Sequence, residues 1–250
     1  PLSENVGRIA VIGPLADAPH DQLGTWIFDG NKKDAVTPLQ SLRKQYGDSR
    51  ILYAPGLEIS RTKSKEGFPA AITAARNAEI VLLFLGEESI LSGESHCRAN
   101  IDLPGAQEQL VEELNKTGKP LVAIIMAGRP LTFEKIMDKL DAVLYAWHPG
   151  TMAGPAISDV LTGKAVPSGK LPITFPRHVG QIPMYYAQKN TGKPASDETW
   201  ERMDEIPTEA PQLSIGNTNH YLDYGFEPMF PFGFGLSYTS FEKTCESIIY

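Results

Sequence analysis

The sequence predicts an α/β fold: a three-layer sandwich with a mostly parallel sheet of about six strands and helices on both faces. Two observations predict it. Short runs such as Ile9-Ala10-Val11-Ile12, Ile80 to Leu85 and Leu121 to Met126 are apolar at every position. A strand with one wet face alternates, so unbroken apolar runs belong to strands covered on both sides. Between them lie stretches with apolar residues at helical spacing, punctuated by Gly and Pro.

Taken in order, Arg8 to Gly13 reads as a buried strand ending in a Gly13-Pro14 turn. Thr37-Pro38 supplies an N-cap and a first-turn proline for a helix carrying Leu39, Leu42 and Tyr46, and Gly47 closes it. Arg50 to Tyr53 is a second strand, and alanine-rich Phe68 to Ala78 is a helix. The strand at 80–85 is followed by a long polar loop. A helix from about Pro104 to Thr117 buries Ala106, Leu110, Val111 and Leu114 and stops at Gly118. Pro120 to Met126 is a strand ending in the Gly128-Arg129-Pro130 turn. A helix from Thr132, a strand from Ala142 to Trp147 and a helix from about Thr151 to Leu161 follow. Lys170 to Phe175 completes the set, its Pro172 placing it at an edge.

The sandwich domain is thus expected over 1–186. Residues 187–228 are polar, rich in Pro and Gly and without a period, which is long for a loop in a compact domain. With the aromatic run Phe230 to Tyr238, the segment 187–241 reads as a wrapping loop and connection packed on the same domain. Residues 242–250 read as the start of a strand in a following domain. The opening Pro1-Leu2-Ser3-Glu4 has no Met and no leader pattern, and reads as the cut edge of a longer chain.

Composition excludes several functions. A net charge of −7 lacks the basic face that sequence-independent nucleic-acid binding needs. No apolar run reaches the roughly 20 residues that span a bilayer. Two cysteines, Cys97 and Cys245, make no disulfide framework, and Cys97 beside His96 has no second cluster to complete a metal site. The first strand turn carries neither a dinucleotide nor a P-loop glycine pattern, which argues against a nucleotide or flavin domain. There is no G-x-S-x-G elbow and no H-E-x-x-H. The chemistry that remains is that of carboxylates.

Carboxylates gather after the third strand. Glu87, Glu88, Glu94 and Asp102 lie in one loop with His96 and Arg98. In open α/β sheets, ligands collect at the carboxyl ends of strands. On the residues alone, Glu94 reads as a solvated loop carboxylate, His96 as a surface histidine, and Arg98 as half of a loop salt bridge. Trp147 reads as a core residue capping the next helix, although its ring suits the C–H face of a sugar. Asn115-Lys116-Thr117 fits the glycosylation pattern at a helix end.

An ordered set of segments carries a resemblance. It comprises Val6 to Asp17, Thr117 to Val122, Gly128 to Leu131, Trp147 to Gly150, Pro167 to Pro176, Val179 to Pro183, Asn190 to Pro194, Tyr221 to Asp223 and Pro231 to Thr239. Together they resemble the second, α/β domain of glycoside hydrolase family 3, of the bacterial β-glucosidase type. The resemblance implies a retaining β-glycosidase, in which two carboxyl groups about 5–5.5 Å apart act as nucleophile and acid/base. It implies a nucleophilic Asp in a preceding barrel domain and a fibronectin-III-like β-sandwich after residue 241. It carries the acid/base over to Glu94, a few residues before Arg98 and Asp102-Leu103-Pro104, with Glu87 and Glu88 as competitors. Arg98, His96 and Trp147 become candidate substrate contacts. The implied partner is a β-linked oligosaccharide or glycoside, and the implied location is periplasmic or secreted. No cofactor is implied. The chain alone is expected to be inactive. The alternatives are a non-catalytic sugar-binding or scaffold domain, or a parent acting as a β-xylosidase, an N-acetylglucosaminidase or a phosphorylase.

Overall fold

The apolar runs fold as strands β1 (Ile9–Ile12), β2 (Ile51–Ala54), β3 (Ile80–Gly86), β4 (Leu121–Met126) and β5 (Ala142–Tyr145). In this computed structural model, which describes residues 1–187, 189, 192–211 and 218–240, they form a five-stranded sheet ordered β2-β1-β3-β4-β5. Every pairing is parallel, with Ile9 opposite both Ile51 and Ile80, and Val81 opposite Leu121.

Helices α1 (Pro38–Tyr46), α2 (Phe68–Arg76), α3 (Gln107–Asn115), α4 (Glu134–Met137) and α5 (Ala153–Thr162) cover it. Alternate strand residues point to opposite layers. Ala10, Ile12, Val81, Leu83 and Ile125 pack with α2, α3 and α4. Ile9, Val11, Leu82, Phe84 and Ile124 pack with α1 and α5. The first connection, β1 to β2, runs one way across the sheet with α1 on one face. The remaining crossovers run the other way with their helices on the opposite face, as right-handed crossovers require. The order therefore reverses between β1 and β3, and at such a switch point the two carboxyl ends part to leave a crevice.

Local signals set the helix ends. Thr37 accepts from Gln40 N while the Gln40 side chain accepts from Thr37 N, so α1 starts on a capping box. The helix expected from Pro104 begins only at Gln107, because Gly105 turns the chain at φ 68°.

The sixth strand expected at Lys170 to Phe175 does not join the sheet. Leu171 N donates to Phe234 O at 2.8 Å and Phe175 N to Phe230 O at 2.8 Å, so this segment pairs with the aromatic run instead. Pro172 and Pro176 remove two backbone donors, which leaves too few for a full ladder. Phe175 is fully buried, in edge contact with Tyr145 and Phe230. Within 187–228 the described residues hold a short 3-10 turn, Met203–Glu205, and isolated bridges. The strand expected over 241–250 lies outside the described residues.

Candidate active site

Everything at the carboxyl edge of β3 starts from Gly86. Its N–H donates to Gln107 Oε1 at 2.8 Å, and its carbonyl accepts from Gln107 Nε2 at 2.7 Å. Gln107 is buried and also donates to Ser60 O and Pro104 O, both at 3.0 Å. A single amide thereby ties the strand end to the start of α3, and fixes the direction in which the next residues leave.

The next residue, Glu87, has a fully buried side chain. Its Oε2 accepts from Arg98 Nη1 and its Oε1 from Arg129 Nε, each at 2.8 Å. A carboxylate stays ionised inside a protein only when paired like this. The two guanidiniums then hold the loop: Arg98 donates to Asp102 O at 2.9 Å, and Arg129 donates to Leu91 O and to His96 O. Asp102 in turn receives Lys135 Nζ at 2.8 Å and the Thr132 hydroxyl. Burial pushes the Asp102 carboxyl upward, but these two bonds outweigh it and hold the group below the ordinary value.

The first part of the loop is also tied to the segment after β1. Ser89 N and Oγ donate to Asp21 Oδ1 at 3.0 and 3.2 Å, and Thr25 Oγ1 donates to Ser89 O at 2.8 Å and Ser92 O at 3.0 Å. These contacts bridge β1 and β3 at the switch point.

The carboxylates of this loop now separate by environment. Glu87 is consumed by its arginines. Glu88 is buried, with Arg61 Nε at 3.9 Å and no hydrogen-bond partner for either oxygen among the described residues. Glu94 is exposed, between the anchored residues 91 and 96, with no ion pair or hydrogen bond to its carboxylate among the described residues. His96 is exposed and its Nδ1 lies 3.2 Å from Ser92 O. Arg98 therefore stands inside the loop, bound to Glu87. Trp147 is half-buried at the end of β5, its ring 4.8 Å from Tyr145 and 5.9 Å from Phe175, centroid to centroid. Cys97 is an exposed free thiol, and the described residues hold no cluster of His, Cys, Asp and Glu fit for a metal ion.

One feature escaped sequence reasoning. Trp26 and Phe28 are 61% and 88% exposed, with ring centroids 6.2 Å apart. They follow Thr25, whose hydroxyl is fixed to the Glu94 loop. The apolar run Trp26-Ile27-Phe28 between Gly24 and Gly30 was the available signal.

The family description "Glycosyl hydrolase family 3 C-terminal domain" matches residues 1–238. The chain belongs to this family. The family 3 domain is 40% identical to the periplasmic beta-glucosidase of Salmonella typhimurium over 96% of its own length and 32% of that protein's. It is 38% identical to a beta-xylosidase of Formosa agariphila, over 95% of its own length and 30% of that protein's. Among solved structures, it is similar to the beta-glucosidase of Listeria innocua in complex with isofagomine. That match has a TM-score of 0.83 and 37% identity, over 97% of this chain and 31% of that one. The family 3 domain thus spans about a third of the length of the relatives it matches.

Proposed function

We propose that this domain supplies the general acid/base of a retaining β-glycosidase of β-glucosidase type, and that Glu94 is that residue. The observation carrying this reading is the sorting of the loop carboxylates. Glu87 is buried in two ion pairs and Glu88 is buried beneath the loop, while Glu94 alone of the three is presented to solvent on an anchored apex. A general acid must reach the leaving oxygen, so accessibility comes before pKa.

In the proposed parent, a barrel domain preceding this one carries the nucleophilic Asp, and a β-sandwich follows residue 241. Residues 1–186 form the sandwich domain and 187–241 wrap onto it. Glu94 protonates the departing oxygen and then deprotonates the incoming water. In a retaining pair the acid/base stands beside the ionised nucleophile, whose charge favours the protonated form of a carboxyl acid. Arg98 contributes through the loop that its ion pair holds. His96 and Trp147 line the substrate side, and the Trp26–Phe28 pair offers apolar ring faces to a pyranose. The substrate is a terminal β-linked glycoside and the location is periplasmic or secreted, as in the Salmonella relative. A β-xylosidase parent is the second reading, supported by the 38% identity to the Formosa enzyme.

The test is Glu94→Ala in the full-length parent, on activated and unactivated aryl glycosides with and without azide. A loss of roughly 10²–10⁴-fold in kcat/KM on poor leaving groups is expected, with azide restoring turnover on activated ones, where breakdown of the glycosyl-enzyme limits the rate. Near wild-type rates on both substrate types would overturn the assignment and return Glu87 and Glu88 to consideration. The isolated chain, lacking the second carboxylate, is expected to show no steady turnover.

A further inference from the structure

We propose that His148 is a positioning residue for the acid/base, holding the root of its loop through Ser92. The inference rests on the reading of Glu94 above. His148 follows Trp147, whose φ of 55° turns the chain after β5, and its imidazole lies beside Gly128, just past β4, and Ser92 of the loop. Its Nε2 lies 3.2 Å from Ser92 Oγ, and the two share a hydrogen bond whichever atom carries the proton. Ser92 is 5% exposed and stands two residues before Glu94. Its hydroxyl also lies 3.2 Å from Thr25 Oγ1. The chain Thr25–Ser92–His148 therefore joins the segment after β1, the loop after β3 and the end of β5 at one point.

The backbone around this point approaches it closely. A Cβ on Gly128 would collide with Ser92 Oγ and lie 2.7 Å from His148 Nε2, and a Cβ on Gly24 would lie 3.1 Å from His148 Cγ. Gly128 is thus needed for the close approach of Ser92 and the imidazole, and Gly24, at φ 94°, holds a backbone conformation that favours glycine. Burial holds His148 below the ordinary histidine value, with Glu87 and Asp21 opposing the shift. A neutral imidazole needs no counter-charge in this setting. Arg129 anchors residues 91 and 96 by hydrogen bonds to their carbonyls, and its ion pair with buried Glu87 means that it also supports the fold. His148 touches the loop through one neutral bond, so its removal tests position with less damage to stability.

Misplacement of a reacting group by about 1 Å can cost up to 10²-fold in rate. The experiment measures kcat and KM of the full-length parent across aryl glycosides of differing leaving-group pKa, for His148→Ala, His148→Gln, Ser92→Ala and Glu94→Ala. A positioning role predicts that His148→Ala and Ser92→Ala lower kcat/KM about 10-fold or more on poor leaving groups, with small changes in kcat/KM on activated ones. His148→Gln, which keeps a polar group near the Nε2 position, recovers most of the rate. Equal losses on both leaving-group classes, tracking a lowered Tm and not rescued by Gln, would overturn the proposal. Should His148→Ala fold poorly, Ser92→Ala carries the same test with the loss of one hydroxyl. Glu94→Ala separates the two levels. If it shows the leaving-group dependence and His148→Ala and Ser92→Ala do not, only the positioning role falls. If Glu94→Ala lacks the dependence, the acid/base reading falls and this inference with it.

Discussion

Strand β3 and the loop that leaves it adjoin in sequence, yet different forces hold them in place. From Val81 to Leu85 the strand is at most 1% exposed and packs against helices on both faces. Apolar burial fixes it, and burial makes no directional demand. The loop has no core of its own: Ile90 is 56% exposed and Glu94 faces solvent. Its path is set by directional bonds from Arg98, Arg129, Asp21, Thr25 and His148 to its flanks. The difference shows how a candidate reactive group is kept both wet and still. Among the described residues, Leu91, Ser92 and His96 around Glu94 are paired, and the Glu94 carboxylate is not.

Substitutions in the two regions should behave accordingly. Phe84→Ala in β3 should lower the unfolding free energy by about 3–5 kcal/mol, measured by urea denaturation. A cost below about 1 kcal/mol would mean that apolar burial does not hold the strand. Glu87→Gln keeps the shape of the side chain but removes the charge that two arginines share. It should cost less, about 1.5–3 kcal/mol, while making the segment 88–101 more accessible to proteolysis. Unchanged proteolysis with unchanged stability would sink the claim that this ion pair fixes the loop. Lys116→Ala at the end of α3 is the contrasting exposed pair. Its partner Glu113 lies 2.6 Å away, but both side chains are in water, so the cost should stay below about 0.5 kcal/mol.

The same division explains what could be read from the sequence. Strands β1, β3 and β4 were legible because burial on both faces forces contiguous apolar residues, a local signal. Helix α1 announced itself through Thr37, Pro38 and Gly47. The segment from Lys170 to Phe175 has strand composition, but its partner at Phe230 is 55 residues away in sequence, and composition does not name partners. The site was half legible. Glu94 came from the ordered resemblance of surrounding segments. That Glu87 would be locked by Arg129, and that Gln107 would clasp Gly86, left no local trace. Those pairs lie 42 and 21 residues apart, and each buried polar group finds its partner only when the sheet assembles. The Trp26–Phe28 pair was not legible as a site because a three-residue apolar run is too short to show a period.

The smallest effect is a pH dependence that tests whether the loop root is neutral. The buried imidazole of His148 binds its proton more weakly in the folded state than at the ordinary value of 6.5. The unfolded chain therefore binds more protons than the folded one between those two values. Stability attributable to this histidine is complete above the unfolded value. It falls as pH drops towards the folded value, and levels off below it. Asp102 works in a separate window, because its lowered carboxyl gives up stability only below the ordinary value of 3.8. Urea midpoints of wild type and His148→Gln between about pH 8 and pH 5 should diverge with acidification, wild type losing more. The remaining histidines are common to both proteins and cancel in the difference. Parallel profiles would mean that burial does not hold His148 neutral, and the loop root would then be fixed by charge like the rest of the loop.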